Sequence, residues 1–510
     1  MTQETLAERR FTPADQQRFA ALSGDRNPIH LDPVFARRTE MGAPIVHGIH
    51  TLLWVMEELF KREPLPLGNI EAEFLAPVYV GDTVRALLSE RSSSNVGVTL
   101  CVDRAPVTKV SLHARRRWQT ALHRQSRPHE NDWPSAPIAL DFDAISGRAA
   151  AFPLPERSSS VEAALPFTCS RLSQRTVISL CATSRLVGMA CPGLHSLLKG
   201  IDVDLIEPFP EKSFVFATQD ANKRFRLVRM SIGAPGLFGT VSAFARRPPA
   251  VQPRLREIGA CVPRNAFAGA SVLIVGGSRG LGEVIAKTCA AGGARIALTY
   301  LAGRCEAEAI KREILDYGGL CEIFPFDVRA DIPAQLAEIK LDATHLYYCA
   351  SPPILRRSSL LAAPPDYFQF FAAAFLGICN ALLARRNDDN LRAFYPSSLV
   401  LDTPGSGSAE LAMAKAAGET LCYHMNRFLP GIEVYCRRLP RLCTDQSATA
   451  IPVRAEPVLD VALPFVCEMH GVTGQSVGTP SKDRPALHRR PATAGCRDDE
   501  PTTHGPSCQK

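Results

Sequence analysis

Two regions of this chain repeat the same helix-then-strand order, and that repeat limits the folds open to its first half. The apolar run Gly48–Leu53 recurs as Gly193–Leu198. Downstream, the alternating run Ile70–Pro77 is echoed by Ile201–Pro208 after a shorter connection. Helices followed by antiparallel strands are typical of α+β domains. The repeat therefore predicts two copies of one α+β fold, although similarities of six and eight residues also arise by coincidence.

The chain has 510 residues, more than the roughly 250–300 at which a single core stops growing. In the first unit we expect a helix capped at Thr12 and an apolar helix over His47–Leu59. Four strands should follow, over Ile70–Phe74, Thr83–Arg91, Val96–Asp103 and Thr108–Arg116. Composition and turn residues predict two α+β units, at 1–118 and 161–250, joined by a linker at 119–160 that is rich in Pro, Ser, Arg and His. An α/β unit at 251–470 and a disordered tail at 471–510 should follow.

The composition is that of a globular protein, with 46% hydrophobic and 21% charged residues. A formal charge of +7 is mild for this length, so nucleic acid is not an expected partner. The 16 cysteines form no CxxC pair, which favours reduced thiols in the cytoplasm and no metal site. The first residues form no signal peptide, and no apolar run approaches the ~20 residues of a membrane span.

The segment Ser23–His30 places a carboxylate, Asp25, five positions before an imidazole, His30, among turn-forming residues. Adding water to a double bond requires a base to activate the water and an acid to protonate carbon. Asp25 and His30 can fill these two roles. Taken alone, the same pattern also fits a helix cap and a surface histidine.

The motif and its surroundings, from Phe11 to Arg37, resemble the signature of the MaoC-like, (R)-specific enoyl-thioester hydratases. The resemblance covers roughly Glu8 to Arg117. It implies that Asp25 and His30 are the catalytic pair and that Ser23 and Asn27 support them with hydrogen bonds. It also implies that the amide of Gly48, at the start of the apolar helix, is the oxyanion donor. We expect His47 and His50 to pack the helix or line the pocket, and assign them no catalytic role.

The same resemblance implies a hotdog fold, in which an antiparallel sheet wraps a long helix, and a dimer or a fused pair of such domains. It implies an acyl-CoA or acyl carrier protein thioester as substrate, and no cofactor for hydration. Between Phe167 and Gly193 the chain has no Asp and no His. We therefore expect the second copy to be degenerate, and to be structural or to shape the acyl pocket.

A glycine-rich turn, Val275–Gly282, follows the apolar strand Ser271–Val275 and opens a helix, which is the setting of a phosphate-binding loop. It resembles the TGxxxGxG loop of short-chain dehydrogenases/reductases. Arg279 in this turn, together with the lack of an acidic residue at the end of the strand Arg295–Tyr300, favours the 2′-phosphate of NADP(H) over NAD. The expected cofactor contacts are Gly276, Ser278, Arg279, Gly280, Gly282 and Asp327.

The catalytic residues of that reductase family are incomplete here. Lys415 matches the lysine of its Tyr-x-x-x-Lys pair, but Leu411 replaces the tyrosine, and leucine cannot transfer a proton. Ser397 or Ser398 lies in the serine region, and Ala374 stands near the expected asparagine. We expect Ser398 and Lys415 to be remnants of a lost reductase site, with Tyr395 as an alternative proton donor.

The sequence thus predicts a multidomain protein: an α+β double hotdog followed by an α/β Rossmann-like unit with a doubly wound parallel sheet. Its predicted function is that of a (3R)-hydroxyacyl-thioester dehydratase/hydratase of fatty-acyl or polyketide-like metabolism. Two alternatives stay open, a bifunctional enzyme that also reduces 3-ketoacyl groups with NADPH, and a silent acyl-carrier-binding scaffold. A homodimer is compatible with each of them.

Overall fold

The computed structural model describes residues 4–62, 65, 67–115, 129–206, 212–354, 366–386, 391–403, 408–449 and 453–472. The predicted disordered tail lies outside the described residues from position 473 onward. Two sheets organise the described residues.

The first half of the chain forms one ten-stranded antiparallel sheet. Its strands are β1 Thr5–Arg10, β2 Asn69–Phe74, β3 Thr83–Arg91, β4 Asn95–Val102, β5 Ala105–His113, β6 Ala149–Phe152, β7 Ser196–Ile206, β8 Phe214–Asn222, β9 Leu227–Ala234 and β10 Gly236–Ala245. Their order across the sheet is β1-β3-β4-β5-β2-β7-β10-β9-β8-β6. Each strand of the first five thus has a counterpart five strands later, so the two halves of the sheet mirror each other about the β2–β7 pair.

Among the described residues of this half, seven α-helices accompany the sheet. They are α1 Pro13–Ser23, α2 Pro28–Leu31, α3 Pro33–Ala36, α4 Gly48–Arg62, α5 Ser159–Ala164, α6 Pro166–Leu172 and α7 Gln174–Arg185. Thr12 and Asp15 form the capping box that the sequence predicts for α1. Helices α4 and α7 bury their apolar faces in one core shared by both halves, and α7 continues into a π-helical turn at Leu186–Ala190.

The strand part of the predicted repeat is confirmed, but its helix part is wrong. Strands β2 and β7 are equivalent and pair antiparallel at the centre of the sheet. Gly193–Leu198, however, is a turn followed by the first three residues of β7, and the helix in the position of α4 is α7. Gly193 has φ +80°, and a Cβ there would lie 2.1 Å from the Ile138 carbonyl oxygen. That glycine therefore serves a tight turn and not a helix start.

The segment 119–160, predicted as a linker, differs from that prediction where it is described. Residues 149–152 form the edge strand β6, which pairs with β8. Trp133 stacks on Phe152 with ring centroids 4.2 Å apart. The strand is only four residues long, too short for its alternation to stand out from the surrounding Pro, Ser and Arg.

A buried carboxylate joins the two halves on the helical side. Glu57, in α4, accepts hydrogen bonds from the amides of Phe167 and Thr168 at 3.1 and 2.8 Å, and from the Thr168 hydroxyl at 2.6 Å. These amides belong to the first turn of α6, whose N–H groups have no partner within the helix. The first half thus caps a helix of the second.

The C-terminal unit is a six-stranded parallel sheet covered on both faces. Its strands are β11 Ser271–Val275, β12 Arg295–Tyr300, β13 Leu320–Pro325, β14 His345–Tyr348, β15 Leu391–Ser398 and β16 Ile432–Leu439. Their order, β13-β12-β11-β14-β15-β16, is the 3-2-1-4-5-6 order of the Rossmann fold. The predicted doubly wound α/β architecture is confirmed.

Helices pack on the two faces of this sheet around separate apolar cores. They are α8 Leu255–Gly259, α9 Gly280–Ala291, α10 Arg304–Asp316, α11 Ile332–Ala337, α12 Asp366–Phe368, α13 Ala374–Leu383, α14 Ala409–Phe428 and α15 Val458–Met469. Within the described part of the chain, one helical stretch, Asp366–Leu383, is long and apolar enough to cross a membrane by length and composition. Its Phe371 and Phe375 are buried in the core, as expected of an internal helix.

Candidate active site

The turn between α1 and α2 brings the predicted acid–base pair into the interior. Helix α1 ends at Gly24, whose φ of +75° reverses the chain. The Asn27 side chain then caps α2 by accepting a hydrogen bond from the Ile29 amide at 3.1 Å. Asp25 lies in the turn and His30 on the single turn of α2. The turn-forming residues of the motif therefore aim both side chains at one point.

Asp25 is buried, with 2% of its surface exposed. One carboxylate oxygen accepts a hydrogen bond from the Ser184 hydroxyl at 2.7 Å, and the other accepts the Asn27 amide at 3.1 Å. Its own amide donates to the Ser23 hydroxyl at 3.1 Å. Burial raises the pKa of Asp25 above its usual 3.8, while the charge of nearby His30 and the Ser184 hydrogen bond oppose the rise.

His30 is held in one tautomer by the backbone. Its Nδ1 lies 2.8 Å from the carbonyl oxygen of Ile45, which only accepts, so Nδ1 carries the hydrogen. In the neutral ring Nε2 is then left to accept a proton. Burial lowers the pKa of His30 below its usual 6.5, against the pull of the Asp25 carboxylate. His30 is therefore a neutral base near pH 7.

A carboxylate oxygen of Asp25 and one ring nitrogen each of His30 and His47 lie within 4.8 Å of one another. Two hydrogen bonds of about 2.8 Å span such a gap, so one water molecule can touch both Asp25 and His30. A metal ion would also fit by distance alone. His47, however, directs Nδ1 at the Gln16 side-chain oxygen, 2.9 Å away, and Nε2 at the Asp25 carbonyl oxygen, 3.2 Å away. We therefore assign no metal to this cluster.

The other histidines of this region are packing residues, as expected. His47 stacks on His30 with ring centroids 3.8 Å apart, and His50 stacks on Phe19 at 4.7 Å. Burial lowers the pKa of His47 well below its usual value and that of His50 to about 3. Both rings stay neutral at physiological pH.

Gly48 is the first residue of α4, where amide groups have no carbonyl partner within the helix and the helix dipole favours negative charge. A Cβ at this position would lie 2.9 Å from the Phe74 ring. The glycine thus allows an apolar wall to close against the helix start. Its amide lies at this helix start, and its role as an oxyanion donor stays a prediction.

Asp25, His30 and Gly48 line one cavity of about 630 Å³. That volume suits a small-molecule ligand. Both halves of the ten-stranded sheet unit and the Rossmann-like unit contribute residues to its walls. The mostly apolar lining comprises Met41, Ile45, Val46, Phe74, Leu75, Ala76, Pro77, Val78, Val187, Leu197, Leu198 and Phe244, with Glu40, Thr51, Thr108, Ser184, Gly188, Ser196, Lys199, Thr449 and Val453.

The second half supplies two contacts to Asp25 that the sequence did not predict. Ser184, at the end of α7, donates the hydrogen bond described above. Gly188 lies so close that a Cβ there would be 2.1 Å from an Asp25 carboxylate oxygen. The Asn27 side chain in turn donates to the Gly188 carbonyl oxygen at 2.9 Å. A lone glycine inside an apolar helical run was the available signal.

The glycine-rich turn has the predicted shape at the carboxyl end of β11. Gly276 and Gly280 have φ +82° and +57°. A Cβ at Gly282 would lie 2.5 Å from the Gly276 carbonyl oxygen. Buried Ser278 lies within the turn, near Gly303. The three glycines thus serve close backbone packing.

The two charged side chains predicted to contact a nucleotide are bound to protein groups. The Arg279 guanidinium donates to the Arg37 carbonyl oxygen at 2.6 Å. Asp327 accepts two hydrogen bonds from the Arg329 guanidinium, at 3.0 and 2.9 Å. In this arrangement both side chains already have charged or polar protein partners.

The remnant reductase residues are likewise engaged. Lys415 donates to the Pro396 carbonyl oxygen at 2.5 Å and lies over the Phe371 ring, and burial lowers its pKa to about 7. Ser398 accepts a hydrogen bond from the Val400 amide at 3.2 Å.

Tyr395 is fully buried and donates to the Phe371 carbonyl oxygen at 2.7 Å. A Cβ at Gly418 would lie 1.8 Å from its hydroxyl oxygen, so helix α14 closes over it. Burial raises the pKa of Tyr395. This placement gives Tyr395 no route to a substrate, against the alternative that it replaces the missing tyrosine.

Solved structures resemble the C-terminal half. A short-chain dehydrogenase/reductase from Serratia marcescens is 21% identical with a TM-score of 0.36, over 40% of this chain and 91% of that chain. A short-chain dehydrogenase from Burkholderia cenocepacia in complex with NADP is 21% identical with a TM-score of 0.34, over 40% of this chain and 91% of that chain.

Curated relatives match the N-terminal region. The (R)-specific enoyl-CoA hydratase of Aeromonas caviae is 41% identical over 88 residues, which are 16% of this chain and 65% of that protein. The 3-hydroxybutyryl-CoA dehydratase of Methylorubrum extorquens is 34% identical over 106 residues, 19% of this chain and 68% of that protein. The match therefore spans about two thirds of each relative.

The family model described as MaoC like domain matches residues 1–109. This range holds the turn with Asp25 and His30 and the helix that begins at Gly48. The chain belongs to the MaoC-like family, and it carries the family's domain at its N-terminal end.

Proposed function

We propose that this protein adds water reversibly to trans-2-enoyl thioesters, as a (3R)-hydroxyacyl-thioester dehydratase/hydratase of fatty-acyl or polyketide-like metabolism. The observation that carries the proposal is the buried pair Asp25 and His30 in an apolar cavity that also holds the first amide of α4. The names of the two relatives, an enoyl-CoA hydratase and a hydroxybutyryl-CoA dehydratase, support it.

In this proposal the surroundings of each residue determine its catalytic role. Asp25 and the Nε2 atom of His30 hold one water between them and remove its proton as the oxygen attacks the β-carbon. The proton is then delivered to the α-carbon from the same pair. The Gly48 amide and the dipole of α4 stabilise the negative charge that develops on the thioester oxygen. Hydration by this route uses no cofactor.

The cavity favours an acyl thioester carried by coenzyme A or by an acyl carrier protein. Its walls beyond the acid–base pair are mostly aliphatic and aromatic, as an acyl chain requires. We further infer that the mirrored sheet is a double hotdog, with the active copy at 1–118 and a degenerate copy at 161–250. The Rossmann-like unit then occupies 251–470. Ser184 and Gly188 make the degenerate copy part of the site.

The test is turnover of crotonyl-CoA and longer trans-2-enoyl-CoA by the full-length protein, followed as loss of the enoyl absorbance. Asp25→Asn and His30→Ala should each lower kcat by about 100- to 10,000-fold, the usual contribution of a positioned acid or base. Asp32→Asn is the matched control, because Asp32 caps α3 outside the cavity and asparagine caps equally well.

Wild-type turnover that survives both substitutions would contradict the assignment of the pair. Binding of an acyl carrier with no turnover would instead support the scaffold alternative. For the bifunctional alternative the described residues offer no reductive proton donor, since Leu411 replaces the tyrosine and Tyr395 is closed in. We derive no reductive step.

A further inference from the structure

We infer that the glycine-rich loop of the Rossmann-like unit binds a segment of the hydratase unit in place of a dinucleotide. The segment is Arg37–Met41, named here the docking segment. It begins seven residues after His30 in the chain. The effect of the docking segment on the acyl cavity rests on the proposed function, whereas its contacts with the Rossmann-like unit do not.

Arg37 makes the central contact through both its backbone and its side chain. Its carbonyl oxygen accepts the hydrogen bond from Arg279 at 2.6 Å, and its guanidinium donates to Glu306 at 2.6 Å. The side chains of Arg37 and Glu306 are only 16% and 19% exposed. A Cβ at Gly303 would lie 2.7 Å from the Arg37 guanidinium, so this side chain lies directly on the turn between β12 and α10.

A second ion pair holds the neighbouring residue. Arg38 donates to Asp445 at 3.3 Å, and Arg279 lies 3.8 Å from the same carboxylate. Asp445 follows β16 and is buried. A Cβ at Gly280 would lie 3.3 Å from the methyl group of Thr444, beside Asp445. The glycine-rich loop is thus approached from two sides by protein.

A dinucleotide does not fit the residues present. In a Rossmann fold the pyrophosphate lies on the glycine-rich loop, and the ribose and any 2′-phosphate lie near the end of the second strand. Here that end is covered by Arg37. Arg279, the residue predicted to bind the 2′-phosphate, is bonded to Arg37 and Asp445. The Glu306 carboxylate would also repel a phosphate placed there. The expected NADP(H) site has become an interface.

The docking segment continues directly into the acyl cavity. Its last residues, Glu40 and Met41, line that cavity, and Thr449, four residues after Asp445, lines it from the Rossmann-like unit. The ion pairs of Arg37 and Arg38 therefore fix one wall of the cavity. A degenerate reductase fold has a use here as a support for the hydratase site.

Two measurements on the full-length protein test this inference without turnover. Titration with NADPH, followed by calorimetry, should show no saturable binding, and binding with a micromolar Kd would overturn the inference. Hydrogen exchange of the docking segment should rise roughly tenfold or more in Arg37→Glu, because a partly buried ion pair is broken. Combining it with Glu306→Arg should restore slow exchange.

Glu308→Gln is the matched control, because Glu308 lies on the same helix and pairs only with exposed Arg304. If Arg37→Glu fails to fold, Arg37→Ala gives the same comparison. Unchanged exchange in the folded variant, or no recovery in the double variant, overturns the inference. With turnover, Arg37→Glu should raise KM more than it lowers kcat. If the protein has no hydratase activity but shows these exchange results, only the proposed function is refuted.

Discussion

Ser184→Ala should shift the pH profile of hydration towards neutral pH. The Ser184 hydroxyl donates to Asp25 at 2.7 Å, and both residues are buried. A hydrogen bond to a charged group contributes about 1.5–3 kcal/mol, and one pKa unit corresponds to about 1.4 kcal/mol. Since this bond stabilises the carboxylate, its loss should raise the pKa of Asp25 and lower kcat/KM on the acid side of the profile by roughly 10- to 100-fold.

The assay is kcat/KM for crotonyl-CoA as a function of pH, whose acid limb reports the free enzyme's essential base. Burial raises the pKa of Asp25 from 3.8 and lowers that of His30 from 6.5. The acid limb of the profile should move to higher pH in Ser184→Ala than in wild type.

Ser179→Ala provides the control for this shift. Ser179 lies on the same helix and is buried, but its hydroxyl donates to the Pro235 carbonyl oxygen. An acid limb that is the same in wild type, Ser184→Ala and Ser179→Ala would refute the role assigned to Ser184. A shift to lower pH would refute the sign of the effect.

Three further predictions concern other contacts of the hydratase unit. Gly188→Ala should lower kcat about 100-fold, because the added Cβ displaces the Asp25 carboxylate; kcat equal to wild type would contradict the geometry. Glu57→Ala should destabilise the fold by about 1–3 kcal/mol through the helix cap it removes, whereas Glu58→Ala, which removes only a surface ion pair with Lys61, should change the thermal midpoint little. Burial keeps the pKa of folded His47 below the 6.5 of an unfolded histidine, so protonation of this ring favours the unfolded state. The free energy of unfolding should therefore carry no loss from His47 above pH 6.5 and should fall by about 1.4 kcal/mol per pH unit below it. His47→Gln should show a shallower pH dependence in urea unfolding, and an unchanged slope would contradict this.

The hydratase motif was predictable because its geometry is local. Thr12, Gly24 and Asn27 are cap and turn residues that set the path of the chain over a few positions. The strands of the first half show clear alternation, so β2 to β5 lie within a few residues of their predicted bounds. Rossmann topology followed likewise from alternating strands and helices.

The contacts that complete the site were not predictable by the same reasoning. Ser184 lies 159 positions from Asp25 in the sequence, and neither residue type predicts that the two side chains form a hydrogen bond. The short match at Gly193 misplaced the second helix, because glycines needed for turns and glycines at helix starts look alike in sequence. Arg279 fitted a phosphate site by position, but its partner Arg37 comes from another unit.

The most direct test of the central claim is the product formed from crotonyl-CoA by purified wild-type protein and by Asp25→Asn. Loss of the enoyl absorbance is followed with time, and the 3-hydroxybutyryl product is resolved by chiral chromatography. The proposed site predicts the (3R) product from wild type and a rate lower by at least about 100-fold in Asp25→Asn. A (3S) product, an inert wild type or an active Asp25→Asn would contradict it.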